Sequence, residues 1–103
     1  MTAFVAKLVV APEKRAEFER LQIELRELTH KHEPETPVYE IIRARDEENT
    51  YLCIATFSDD DAFQYHQTTD FHDRLAPAIL DCLSEEMDLG FYDILGAPKR
   101  AGA

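Results

Sequence analysis

The chain has 103 residues, 45% of them hydrophobic, which is enough for one globular domain with a modest core. Its 21 acidic and 11 basic residues give a formal net charge of −10, a balance that repels phosphate backbones and anionic lipid and so argues against nucleic-acid and membrane partners. The two cysteines, Cys53 and Cys82, form no CxxC pair and call for no disulfide, the N-terminus lacks the pattern of a secretory leader, and no run reaches the roughly 18–20 apolar residues of a membrane span, so a cytoplasmic protein is expected.

Residues 3–10, AFVAKLVV, predict a first strand. Phe4, Ala6, Leu8 and Val10 alternate with Ala3, Val5, Lys7 and Val9, so neither face has much polar character. Pro12 suits a first helical position, and Glu13 complements the positive end of a helix. Phe18, Leu21, Leu25 and Leu28 then recur at three- and four-residue steps, which predicts an amphipathic helix over residues 12–31, closed by Pro34. Ile23 lies off that stripe. Residues 37–45 and 50–57 read as two strands joined by the turn DEEN, a polar link whose length suits an antiparallel hairpin. Ser58 with Asp61 fits a capping box, and Asp59 and Asp60 add negative charge at the start of a second helix. Ala62, Phe63 and His66 share a face of it. A further stripe, Phe71, Leu75, Ala78, Ile79, Cys82 and Leu83, follows, so two helical pieces are predicted, with a break near 68–70 and a kink or restart at Pro77. Residues 86–95 alternate Met87, Leu89 and Phe91 with Asp88, Gly90 and Tyr92 and predict the last strand. The domain is therefore expected to span residues 1–95, followed by a mobile tail over 96–103.

The order β-α-β-β-α-β is the ferredoxin-like α+β plan, a four-stranded antiparallel sheet with two helices on one face. Strands one and three are apolar on both faces, so the face away from the helices needs a cover. A second copy supplies it at least cost, and a homodimer is expected.

Three stretches, HEPETPVYE (32–40), YLCIATFSDDDAFQYH (51–66) and FHDRLAPAIL (71–80), resemble the antibiotic biosynthesis monooxygenase domain. The resemblance rests on Glu33-Pro34 with Tyr39-Glu40 beyond it, on Phe57 ending a strand before an acidic helix start, and on His66 eight residues after Ser58. It extends over residues 3–95. It implies a dimeric α+β barrel with a cavity between sheet and helices. It also implies kinship with cofactor-free oxygenases of quinols and anthrones, with haem-degrading enzymes and with proteins of no known activity. The Asn, Trp and His of the haem-degrading branch correspond to Ala6, His66 and Pro77, so that trio is absent here. The Trp that many oxygenase members carry at the end of strand three is Phe57, and the Glu often found in mid-strand is Ala55. No cofactor is expected.

His66 is the leading candidate for chemistry, because imidazole is the side chain that exchanges protons near neutrality and can take one from a phenol. The competing reading is a half-buried histidine bonded to a backbone carbonyl. Tyr39 and Tyr51 on the paired strands are candidates to orient a ring hydroxyl or carbonyl, and equally to be core residues with one wet end. Phe4, Phe57, Phe63 and Phe71 are candidates to wall a flat aromatic ligand. His30 and His32 are two residues apart and His66 and His72 six apart, spacings that share no helix face, so no metal is expected. The three glycines, Gly90, Gly96 and Gly102, form no phosphate loop. The expected function is a cofactor-independent monooxygenase acting on a quinol- or anthrone-type aromatic substrate. The alternatives are a non-enzymatic dimeric module that binds a small hydrophobic ligand, and an isomerase or cyclase built on the same barrel.

Overall fold

The computed structural model describes residues 2–96, so all but Gly96 of the expected 96–103 tail lies outside the described residues. Strand β1 (Thr2–Val9) leads through a 3-10 turn (Pro12–Lys14) into helix α1 (Arg15–His32). Strands β2 (Val38–Arg43) and β3 (Thr50–Phe57) form the hairpin. Helices α2 (Asp60–Thr68) and α3 (Asp70–Leu80) follow, then β4 (Asp88–Asp93). The strands are antiparallel in the order β2-β3-β1-β4, with β1 and β3 in the middle. This is the expected ferredoxin-like arrangement.

Local chemistry explains the joints. At the end of the hairpin loop Asn49 sits at φ 59°, a left-handed conformation that asparagine tolerates better than most residues, and its carbonyl accepts the Val10 N–H at 2.8 Å. The helix α2 cap is Asp59, whose carboxylate accepts the Ala62 N–H at 2.8 Å, in place of the expected Ser58. Ser58 is still tied to the preceding segment, its N–H donating to the Glu35 carbonyl, so the chain turns one residue later. Asp59→Ala is therefore expected to cost about 1 kcal/mol in denaturant unfolding, and Ser58→Ala close to nothing.

The predicted break falls at Thr69, which is extended (φ −67°, ψ 148°) and caps α3 by accepting the His72 N–H at 3.2 Å. The same hydroxyl donates to the His66 carbonyl at 3.1 Å and so ties α2 to α3. The helix does not restart at Pro77, since α3 runs through it to Leu80. Pro77 and Asp73 both face solvent, so water can bond the carbonyl that the proline leaves without a helical donor.

The register decides which side chains meet the helices. Phe4 lies opposite Ala55 on one side and Phe91 on the other, and Ala6 lies opposite Cys53 and Leu89. Phe4, Ala6, Leu8, Tyr51, Cys53, Ala55 and Phe57 are all buried on this face, against Phe18, Leu21, Leu25, Leu75 and Ile79 of the helices. The helices cover β4 only in part: Phe63 of α2 packs edge-on against Phe91 with ring centroids 5.4 Å apart, yet Leu89 and Phe91 remain 40% and 54% exposed. The opposite face carries Val5, Leu52 and Ile54 together with the exposed Val38 and Ile42. Ile23, off the helical stripe, is also at the surface.

Candidate active site

Between the sheet and the helices lies a cavity of about 190 Å³. Phe4, Ala6 and Leu8 form its floor, with Tyr39 and Cys53 beside them. Gln22 and Leu25 of α1, Phe63 and His66 of α2, and His72 and Ile79 of α3 form its roof. Leu80, Met87 and Leu89 line the side toward β4, where the half-exposed Leu80 and Leu89 mark the mouth.

His66 is the centre of the polar chemistry. Its Nδ1 lies 2.9 and 3.0 Å from the two carboxylate oxygens of Glu33, and both side chains are 1% exposed. A carboxylate only accepts, so Nδ1 carries the hydrogen, and in the neutral ring the free lone pair sits on Nε2. That Nε2 is buried and has no partner within the protein. The pair is sealed by aromatic neighbours, with the Tyr39 ring centroid 5.3 Å and the Phe57 centroid 5.5 Å from the imidazole. Glu33 is placed by the last turn of α1. Its N–H donates to the Thr29 carbonyl at 2.9 Å, and the Thr36 hydroxyl donates to its carboxylate at 3.4 Å.

His72 lies beside this pair, its ring centroid 4.7 Å from that of His66. The six-residue spacing places the two on different faces of one continuous helix. The break at Thr69 resets the helical phase and brings them together. Burial pushes the His72 imidazole below its ordinary 6.5, and the neighbouring His66 adds to the shift. The folded chain thus holds this proton less tightly than the unfolded chain, and the resulting stability is present above pH 6.5 and lost as pH falls below it. The thermal midpoint of His72→Gln is expected to decline less steeply than that of the wild type as pH falls from 6.5.

Two further groups are held protonated. Burial raises the Tyr39 hydroxyl well above its ordinary range, with the adjacent Cys53 adding to the effect. The Cys53 thiol is pushed up to about 11, also by burial, so it is a neutral wall and not a nucleophile. Both cysteines are free and buried. On α1, the carboxamide of Gln22 is 3% exposed and its Oε1 has no partner within the protein.

Of the residues singled out from sequence, Phe4, Tyr39, Phe63 and His66 line the cavity together. Tyr51, Phe57 and Phe71 do not. Tyr51 shares the sheet face but lies toward the far end of it, stacked on Phe18 at 4.7 Å and donating to Glu19 at 2.5 Å. Phe57 is fully buried behind the wall, 5.9 Å from Phe4. Phe71 packs beside His32 at 5.8 Å. His66 is not the half-buried, carbonyl-bonded histidine of the competing sequence reading; its partner is a carboxylate. Glu33 entered the sequence reading only as part of a motif, and Gln22 not at all. A carboxylate at a helix end followed by proline was the one signal for Glu33. Gln22 adjoins the apolar stripe at Leu21 and Leu25, a position where a buried polar side chain is unusual. Among the described residues, no three His, Cys, Asp or Glu side chains are grouped as metal ligands.

The fold is thus a ferredoxin-like sheet roofed by helices, with a buried carboxylate–imidazole pair at the edge of an apolar cavity. The family model for antibiotic biosynthesis monooxygenase matches residues 1–77, and the chain belongs to that family. A candidate antibiotic biosynthesis monooxygenase from Caulobacter crescentus superposes with a TM-score of 0.89 at 27% identity, over 92% of this chain and 90% of that one. A conserved protein from Methanosarcina mazei superposes with a TM-score of 0.83 at 25% identity, over 88% and 89% of the two chains. A Mycobacterium tuberculosis protein at 13% identity shares the fold, with a TM-score of 0.84 over 95% and 98%. No curated protein sequence matches this chain.

Proposed function

We propose that the cavity oxidises a small quinol with O2 and without a cofactor, His66 acting as the base. The observation that carries this reading is the His66–Glu33 pair, with Nδ1 fixed on the carboxylate and Nε2 left without a partner, on a side chain that lines an apolar cavity. A ring hydroxyl gives its proton to Nε2, and Glu33 stabilises the imidazolium that forms. The resulting phenolate is electron-rich and reacts with O2. Quinol plus O2 gives hydroxyquinone plus water, so the substrate supplies all the electrons and no external reductant enters. Tyr39, held protonated, donates a hydrogen bond to a ring oxygen. Cavity size favours one or two rings over a three-ring anthrone, since a comparable apolar cavity of about 150 Å³ holds a single benzene and this one measures about 190 Å³. Family membership and the Caulobacter crescentus relative add support for oxygenase chemistry.

Oxygen uptake by metal-stripped protein with a panel of naphthoquinols tests the reading. Uptake above the uncatalysed rate, lost in His66→Ala, is the expected result. Uptake unchanged in His66→Ala overturns it. Ligand binding without uptake would leave the binding module, and substrate conversion without uptake would leave the isomerase.

The working form we propose is a homodimer. Val5, Leu52, Ile54, Val38 and Ile42 make an apolar surface on the sheet face away from the helices, of a kind that monomers seldom leave uncovered. Ile54→Glu is expected to give a monomer by sedimentation at micromolar concentration, where the wild type sediments as a dimer. Two buried free thiols suit a reducing cytoplasm, and no described helix is long and apolar enough to cross a membrane.

A further inference from the structure

Two of the side chains that line the cavity carry a sealed polar atom without a partner, and the proton transfer described above uses only one. Nε2 of His66 is the first, and Oε1 of Gln22 is the second. They belong to different helices, α2 and α1, and both side chains line the cavity, whose remaining walls are mostly apolar. Gln22 shares its helix with the core residues Phe18, Leu21 and Leu25. At a purely structural position in that row a Leu or Met would fill the space and leave nothing unbonded. A carboxamide offers one acceptor and two donor hydrogens, and it can turn by a flip to suit either kind of ligand group.

We infer that Gln22 is a second polar anchor, and that it restricts the site to aromatic ligands with two polar ring substituents. One hydroxyl meets His66, and a second hydroxyl or carbonyl meets the Gln22 carboxamide. A monophenol satisfies His66 and leaves Gln22 unbonded, so it binds less well. This selectivity by an otherwise unpaired group is the usual way a buried site rejects a ligand lacking one hydroxyl. The inference rests on the quinol reading and deepens it: Gln22 positions the ring and carries no proton. The Thr29 hydroxyl and the Arg15 Nε on α1 are also sealed and without partners, but neither residue lines the cavity and they take no part.

The test is anaerobic titration calorimetry of the whole protein with 1-naphthol, 1,4-dihydroxynaphthalene and 1,5-dihydroxynaphthalene. The wild type is expected to bind at least one diol about tenfold more tightly than 1-naphthol, the worth of one hydrogen bond to a buried, otherwise unpaired group. In Gln22→Met that ratio is expected to fall to about one with 1-naphthol affinity retained. The ligand-free variant should unfold at the same temperature or higher, because an unbonded amide is gone from the interior. A merely structural Gln22 would instead give a lower midpoint and weaken all three ligands together. Gln22→Leu repeats the measurement should Gln22→Met fail to fold. A wild type with no preference, or a preference that survives Gln22→Met, overturns the inference and leaves the His66 reading intact. A preference that Gln22 controls, with no oxygen uptake, keeps the anchor and removes the oxygenase. No binding of any probe removes both.

Discussion

Glu33→Ala is expected to destabilise the protein by about 1–3 kcal/mol, the usual cost of leaving a buried N–H without its acceptor. The reason is geometric. His66 sits among Tyr39, Phe57 and His72, with its Nδ1–H pointed at a carboxylate that is itself sealed from water. Without Glu33 that hydrogen has no acceptor, and the ring must shift or admit water. Glu33→Gln keeps the volume and separates stability from chemistry. Its amide can donate to Nδ1, which places the ring hydrogen on Nε2 and removes the lone pair that takes the substrate proton. Oxygen uptake should then fall by about 10²–10⁴-fold, the usual contribution of a positioned base, with a smaller loss of stability than Glu33→Ala. Replacing both members, as in Glu33→Leu with His66→Phe, should recover most of the stability lost in Glu33→Ala, because apolar partners leave no buried N–H unbonded. Denaturant unfolding of the four proteins, with uptake measured alongside, checks the set. A Glu33→Ala protein as stable as the wild type would sink the account of the pair.

The second large effect is expected at Phe57, which lines no cavity. Phe57→Ala should cost about 3–5 kcal/mol, as large aromatic truncations in fully buried sites do. Phe57 is 0% exposed, and its ring lies 5.9 Å from Phe4, 5.3 Å from Phe63 and 5.5 Å from His66. It is the support behind three wall residues at once. The truncation should therefore also weaken ligand binding, although Phe57 itself touches no cavity space. Phe71→Ala, half-buried at the helix surface, should do much less in the same unfolding measurement.

The β-α-β-β-α-β order was readable because the β-rich runs AFVAKLVV and TYLCIATF, and the stripe Phe18, Leu21, Leu25, are local signals; which strand phase meets the helices was not, because both faces of strands one and three are apolar. The cavity was only partly readable. Tyr39, Tyr51 and Phe57 do share the inner face, but where along that face the helices leave a gap depends on how α1, α2 and α3 sit, which no local pattern encodes. Tyr51 and Phe57 fell outside the gap for that reason. The His66–Glu33 contact spans 33 residues, and the sequence offered no measure of that distance. His66 and His72 were separated on paper by assuming one helical phase across Thr69. The cap at Asp59 shows the same limit on a smaller scale: Ser58 and Asp59 have equal claims as caps, and the hydrogen bond from Ser58 to Glu35 decides between them.

The Thr69 joint has a consequence for what changes in length the chain can accept. The α2–α3 segment keeps its two imidazoles in contact by a single extended residue between two helices, with no spare loop to absorb a change. Inserting one residue between Thr68 and Asp70 advances α3 by one helical step, a rotation of about 100°. Such a rotation would carry His72 away from His66 and swing Leu75 and Ile79 out of the core. The exposed stretch 46–48 of the hairpin turn can lengthen with little harm, whereas this joint tolerates substitution far better than insertion or deletion.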